Sequence, residues 1–199
     1  MARLTGKARK EQIVQTAVQL FSEVGFHGTT TRALARKAGI SEALLFRHFP
    51  NKESLYEAIL QRKMEESLPM LLSGLPLQEG PERVLKTLSY RIVRLHEDDP
   101  SFLRLLLYSA LENHELSKLF FRKKTLPIVD FLSDYIEQSI GKGLMKETAD
   151  ARTTAFAFMA MVIGYVQTRI IFKIPEIATK PVEEWLDRYV DVFLKGILL

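Results

Sequence analysis

Cysteine is absent from the 199 residues, which excludes disulfides, thiolate metal sites and a cysteine nucleophile and suits a reducing compartment. Histidine is scarce: His27, His48, His96 and His114 are the whole set, and no two share the helical spacing that sets a metal-binding pair on one face. There is no HExxH, no phosphate-loop glycine pattern and no GxSxG elbow, so no metal or cofactor is expected and the chain does not read as an enzyme. The one concentrated group of oxygen and nitrogen ligands, His96-Glu97-Asp98-Asp99, reads as a solvated helix end followed by the cap of the next helix. Long apolar runs are lacking too. The longest uncharged stretch, Thr153 to Thr168, holds a continuous apolar core of only 12 residues, Ala155 to Val166, short for a bilayer and typical of a buried helix. The N-terminus is charged and has no apolar signal region, so the expectation is a cytoplasmic protein with no membrane segment. No alternating β-pattern, repeat or low-complexity segment is present.

Charge is present but unevenly placed. Residues 1–63 carry 11 Lys and Arg against 5 Asp and Glu, a net of +6, and the remainder carries 17 against 19, a net of −2. Polyanion binding is therefore a property of the first third of the chain. Arg3, Lys7, Arg9 and Lys10 are placed to form an arm along phosphates or the minor groove.

The same third contains two short helices joined by a tight turn. Thr30 is positioned to cap the first, Leu34 and Ala38 face inward at helical spacing, and Gly39 ends it in the left-handed backbone region, with Ile40 folding back onto Leu34 or Ala35. Ser41 caps the second. There Leu45 and Phe49, four apart, share an inner face, which leaves Ala43 and Arg47 outward, flanked by Leu44, Phe46 and His48. Such a layout is a helix-turn-helix, whose second helix enters the major groove. Arg47 matches the O6 and N7 acceptors of guanine; Ala43 and Leu44 match a thymine methyl. Upstream, Ile13, Ala17, Leu20, Phe21 and Val24 form the stripe of an amphipathic helix from about Arg9 to Val24, ended by Gly25, with Phe26 turning back onto Phe21. Downstream, Asn51 caps a fourth helix, and Lys52 in its first turn suits a phosphate anchor.

The run from Ile13 to Leu60 resembles the DNA-binding domain of the TetR family of bacterial transcriptional regulators. The likeness rests on Ala-x-x-Leu-Phe in the first helix, the Gly-Phe after it, Thr-Thr before the second helix, Ala-Gly-Ile-Ser at the turn and Phe-Pro-Asn-Lys-Glu before the fourth helix. The resemblance implies DNA contacts from Thr30, Thr31, Arg32, Ser41, Glu42, Ala43, Leu44, Phe46, Arg47, His48 and Lys52. At two positions the chain departs from the common pattern: Leu44 replaces Thr and Phe46 replaces Tyr, each removing a hydroxyl and leaving apolar contact.

The rest reads as helices only. Pro69 and the loop Ser73 to Gly80 are expected to end the fourth. Helices follow from Pro81 to about Glu97, from Asp99-Pro100 through Leu111, from about His114 to Ile140 with a bend at Pro127, from a Thr148 cap to about Phe172, and from Pro181 onward. The expected fold is all-α, an N-terminal three-helix helix-turn-helix domain over residues 1–51 and a helical ligand-binding and dimerisation domain over 52–199, with 52–72 as connecting helix. The penultimate helix is apolar nearly all round and the last carries an aromatic stripe, so Ala160, Gly164, Trp185, Tyr189 and Phe193 are expected at a homodimer interface. The resemblance implies that arrangement, and with it a palindromic double-stranded operator. It also implies an inducer pocket among the middle helices for an apolar or amphipathic small molecule, for which Tyr90, Arg94, Tyr108, Phe120, Phe131, Tyr135, Phe156, Met159 and Arg169 are the candidates. The function expected is that of a repressor released by its inducer; the alternatives are an inducer-independent DNA-binding protein or activator and, further off, a helical enzyme or carrier.

Overall fold

The computed structural model describes residues 5–147 and 150–197. All regular structure among them is helical: α1 (Gly6–Gly28), α2 (Thr31–Lys37), α3 (Glu42–His48), α4 (Lys52–Leu72), α5 (Pro81–Asp98), α6 (Pro100–Leu111), α7 (Glu115–Phe120), α8 (Leu126–Gly141), α9 (Ala151–Val166), α10 (Pro175–Ala178) and α11 (Val182–Ile197), with single π-helical turns at Phe121–Thr125 and Gln167–Ile171. The chain divides into two compact units, Met1–Glu65 with Ser101–Phe121, and Glu66–Pro100 with Arg122–Leu199. The boundary read from the sequence, at residue 51, follows the end of the helix-turn-helix segment. The packing boundary follows apolar faces, and places α6, α7 and most of α4 with the basic N-terminal helices.

The first unit is built on Ile13, Ala17, Phe21, Phe26, Leu34, Leu45, Phe49, Leu55, Tyr56, Ile59, Phe102 and Leu105, all buried in one cluster. α2, α3 and α4 are each fixed at the start by a side chain: Thr30 Oγ1 accepts from Ala33 N, Ser41 Oγ from Leu44 N, and Asn51 Oδ1 from Ser54 N at 2.7 Å. Gly39 has φ +66°, and beyond it Ile40 N bonds back to Ala35 O, the six-to-one closure of a left-handed helix ending. One expectation needs correction. α1 begins at Gly6, capped by Thr5, so Lys7, Arg9 and Lys10 lie on its first turns and not on a free arm; Arg3 lies outside the described residues. Gly25 (φ +73°, ψ 179°) ends the regular run of the helix as its sequence position predicts: its backbone is non-helical, and beyond that corner one separate turn runs to Gly28.

In the second unit α8 packs on α9, α5 on α11 and α5 on α9, around Val84, Leu88, Ile92, Leu132, Ile136, Phe158, Val162, Val190 and Leu194. Pro69 does not end α4 but sits inside it, one turn before the end. There the last carbonyls, Leu71 O at 3.1 Å and Ser73 O at 2.6 Å, are taken by the Arg91 guanidinium, a partner supplied from α5. The helix expected from His114 to Ile140 is divided by the first π turn. Pro127 has no N–H to close on Lys123 and its ring crowds that carbonyl, so the chain widens just before it. The cap of α9 is Asp150, whose carboxylate accepts from Arg152 N and Thr153 N; Thr148 lies outside the described residues. With its π turn, Ala151–Ile171 is the one helix among the described residues long and apolar enough, by length and composition, to cross a membrane. That is longer than the 12-residue apolar core read from the sequence. A core helix passes the same test, and Ala155, Phe158, Val162, Tyr165 and Val166 are buried.

Candidate nucleic-acid interface

α3 owes its orientation to the side chains it buries. Leu45 (2 % exposed) and Phe49 (3 %) pin one face to the first unit's core, and Ala43 and Arg47 therefore stand exposed on the other. Leu44 and His48 are half-buried on the flanks, and Phe46 remains 43 % exposed, an aromatic ring held in solvent. Glu42 is exposed in the first turn, where the Thr31 hydroxyl donates to its Oε2 at 3.0 Å and so ties the start of α2 to the start of α3. Arg32 is exposed on α2. Thr30 and Ser41 spend acceptor lone pairs on capping, while their hydroxyl protons stay available to donate. Thr30, Thr31, Arg32, Ser41, Glu42, Ala43, Leu44, Phe46, Arg47 and His48 are thus carried by two short helices and the turn between them.

Lys52 is placed differently from what its charge suggests. Its Nζ donates to Phe26 O at 2.6 Å and Thr29 O at 3.0 Å and lies 4.1 Å from the centre of the Phe26 ring. Burial of the ammonium pushes its pKa below the usual lysine value against the opposing pull of Glu53 and Glu112. The sequence reading of Lys52 as a phosphate anchor missed this inward geometry, because only the tertiary fold brings the two carbonyls to it.

The same corner of backbone has a second partner. Beyond Gly25 the N–H groups of Phe26 and His27 have left the α1 ladder, and both point to the carboxylate of Glu112: Phe26 N to Oε2 at 3.0 Å and His27 N to Oε1 at 3.3 Å. One and two turns earlier on α6, Tyr108 Oη donates to Glu23 O at 3.3 Å and Arg104 Nε to Ser22 O at 3.1 Å. Sequence reasoning missed Arg104 and Glu112 and gave Tyr108 to the ligand. The only local signal was the glycine corner itself, whose freed N–H groups require acceptors.

The ligand candidates fall in both units. Tyr108 and Phe120 belong to the first unit, where Phe120 packs edge-on to Phe102. Tyr90 lines an open groove of about 410 Å³ between α5 and α11 with Arg83, Lys86, Thr87, Arg91, Glu183 and Asp187. Arg94 and Arg169 both pair with Glu97, Arg169 through Nε at 2.8 Å, and Arg169 also donates to Ile177 O and Lys180 O. Tyr135 and Met159 are buried, Phe131 and Phe156 half-buried, the last beneath the Arg152 guanidinium. Of the dimer candidates, Ala160 and Gly164 are exposed on α9, and Trp185, Tyr189 and Phe193 are half-buried on α11, where Val192 is 70 % exposed.

Residues 13–59 match the model of the bacterial regulatory proteins of the tetR family, and residues 83–196 match that of the AefR-like transcriptional repressor C-terminal domain. The chain belongs to the TetR family. As a TetR-family protein it is a DNA-binding transcriptional regulator, and α2 with α3 is its helix-turn-helix. It is 28 % identical over 196 residues to an uncharacterized HTH-type transcriptional regulator, YvkB of Bacillus subtilis, covering 94 % of this chain and 96 % of that one. It is 29 % identical over 163 residues to the nucleoid occlusion factor SlmA of Marinobacter nauticus, covering 82 % of each. Among solved structures the TetR-family fold recurs in AibR in complex with isovaleryl coenzyme A and operator DNA, with TM-score 0.70, 23 % identity and coverage of 94 % and 98 %.

Proposed function

We propose that this TetR-family regulator is a cytoplasmic homodimeric repressor that presents one α3 to each half-site of a palindromic operator and releases it when an apolar or amphipathic small molecule binds the second unit. The observation that carries the DNA part is the outward face of α3, with Ala43 and Arg47 exposed opposite buried Leu45 and Phe49, in a segment of net charge +6. Arg47 forks onto a guanine edge, Ala43 and Leu44 meet thymine methyls, and the hydroxyls of Thr30 and Ser41 with Arg32 and His48 contact the sugar-phosphate backbone, while Thr31 acts through Glu42. Glu42, held by Thr31, suits a cytosine amino group. Dimerisation is supported by the exposed small residues Ala160 and Gly164 beside the incompletely covered Trp185, Tyr189, Val192 and Phe193, since small residues let two α9 helices approach while α11 supplies apolar area. An effector is supported by AibR, solved with an acyl-CoA and operator DNA.

Release works as a shift between two spacings of the DNA-reading units, with the ligand favouring the one that does not fit both half-sites. A hundred-fold loss of operator affinity needs about 2.7 kcal/mol of difference in ligand binding between the two states, within the usual range of allosteric coupling. Selection of bound sites from random duplex DNA tests this reading: two-fold symmetric sites with half-sites about one helical turn apart are expected, and no enrichment overturns it. A second reading, DNA binding without an effector, is favoured by the ligand candidates already engaged within the fold: Arg94 and Arg169 pair with Glu97, and Tyr135 and Met159 are buried. It predicts the same selected symmetry but no change in operator affinity across a panel of acyl-CoAs and amphipathic drugs.

A further inference from the structure

We infer that Arg104, Tyr108 and Glu112 are positioning residues for DNA reading: a polar ladder along one face of α6 and the turn that ends it, which fixes the Gly25 corner and thereby the angle at which α2 and α3 are presented. The inference rests on the reading of α3 as the DNA-contacting helix. The three side chains stand four residues apart, so they share a face, and each ends on the backbone of the last turns of α1: Arg104 on Ser22 O, Tyr108 on Glu23 O, Glu112 on the N–H groups of Phe26 and His27. Glu112 is aimed by the ending of α6. Asn113 adopts φ +53°, and His114 N closes back on Ser109 O, which sets Glu112 at the rim and folds the His114 ring to 4.3 Å from that of Phe26.

The corner is thus clamped from two sides by opposite charges. Its outward N–H groups meet the Glu112 carboxylate, and its carbonyls, Phe26 O and Thr29 O, meet the Lys52 ammonium. Inside the corner Thr29 Oγ1 donates to Gly25 O at 2.7 Å. Thr30, the next residue, caps α2, so any rotation of the corner is passed directly to α2 and, through the Thr31 to Glu42 hydrogen bond, to α3. A side chain at residue 25 has no room: a Cβ built there collides with the Glu112 carboxylate and comes within 3.3 Å of the Tyr108 ring. None of the three ladder residues lies on the outward face of α3, so they act on DNA through the corner and not by contact.

The test uses the full chain and the operator recovered by site selection. Glu112→Ala and Tyr108→Phe are expected to lower affinity for that operator by about ten-fold or more, the loss of roughly one base-pair contact, while affinity for unrelated duplex, set by charge, changes less than about two-fold. Selection repeated with Glu112→Ala is expected to shift or broaden the half-site spacing. Glu112→Gln, which keeps one acceptor oxygen, is expected to recover part of the loss. Amide hydrogen exchange reads the clamp without DNA: Phe26 and His27 should lose protection in Glu112→Ala while the α3 amides keep theirs, an outcome that also controls for folding. An unchanged ratio of operator to unrelated duplex binding in folded Glu112→Ala and Tyr108→Phe, or unchanged exchange at Phe26 and His27, overturns the inference and leaves the DNA reading intact. Failure of the wild-type chain to select any duplex overturns both.

Discussion

Arg47 and Lys52 are both basic and five residues apart, yet the fold gives them opposite surroundings, and their substitutions should be told apart by different measurements. Arg47 is exposed on the outer face of α3. Arg47→Ala is expected to cost about 1 to 3 kcal/mol on the best operator and to relax preference at one base pair per half-site, with Tm unchanged. Lys52 is engaged with two carbonyls, so Lys52→Ala should act on stability first, by about 1 to 3 kcal/mol for carbonyls left without their donor. If the ammonium is internal, the salt slope of non-specific binding stays as in wild type; a slope reduced by about one with Tm unchanged would return Lys52 to phosphate contact. His96 gives a pH signature. It is 8 % exposed, its Nδ1 bonds Ile92 O at 2.7 Å, and burial, reinforced by Lys124, holds its pKa below the ordinary histidine value of 6.5. Below that value the unfolded chain takes up a proton that the folded chain refuses. The stability it contributes is therefore whole above pH 6.5 and is lost as pH falls through the folded value. His114, also lowered by burial, adds in the same sense. Tm should fall between about pH 7 and 5. In His96→Gln the slope should be shallower, and a wild-type slope in that variant would assign the effect elsewhere.

At the scale of elements, local chemistry explains most beginnings and tertiary contacts explain most departures. Thr30, Ser41 and Asn51 cap where their side chains predict, and Gly39 ends α2 as its backbone freedom allows. α4 runs past the proline expected to stop it, because Arg91 supplies donors to its last carbonyls from another helix. Gly25 is the clearest case of both effects. The sequence marks it as an ending, but the corner is held by residues more than 80 positions away. Gly25→Ala is expected to destabilise the chain by at least about 1 to 2 kcal/mol for the left-handed backbone alone, and by more because Glu112 must move. Calorimetry should show a Tm lower by at least a few degrees; an unchanged Tm would mean that the corner tolerates a side chain.

At the scale of the whole molecule the chain is expected to work in pairs. Tyr189→Glu or Phe193→Glu places an uncompensated charge on the half-covered face of α11. Sedimentation should show dimer for wild type and monomer or unfolded chain for the variants, and a wild-type monomer at micromolar concentration would refute the assembly. Loss of the dimer should also cost more operator affinity than either Arg47→Ala or Glu112→Ala, since it removes a whole half-site.

The helical class, the helix-turn-helix with its caps, the outward Arg47 and the concentration of positive charge are legible in the chain alone, because each depends on residues a few positions apart and on periodicities of one helix. The sequence did not reveal that Ser101–Phe121 packs with the N-terminal helices, that Lys52 turns inward, that Glu112 closes the Gly25 corner, or that Tyr108 bonds to the backbone of α1. Those features depend on which apolar faces meet across long stretches of chain. A buried ring or a freed N–H group takes whichever partner the packing delivers, and that choice was made by the tertiary structure alone.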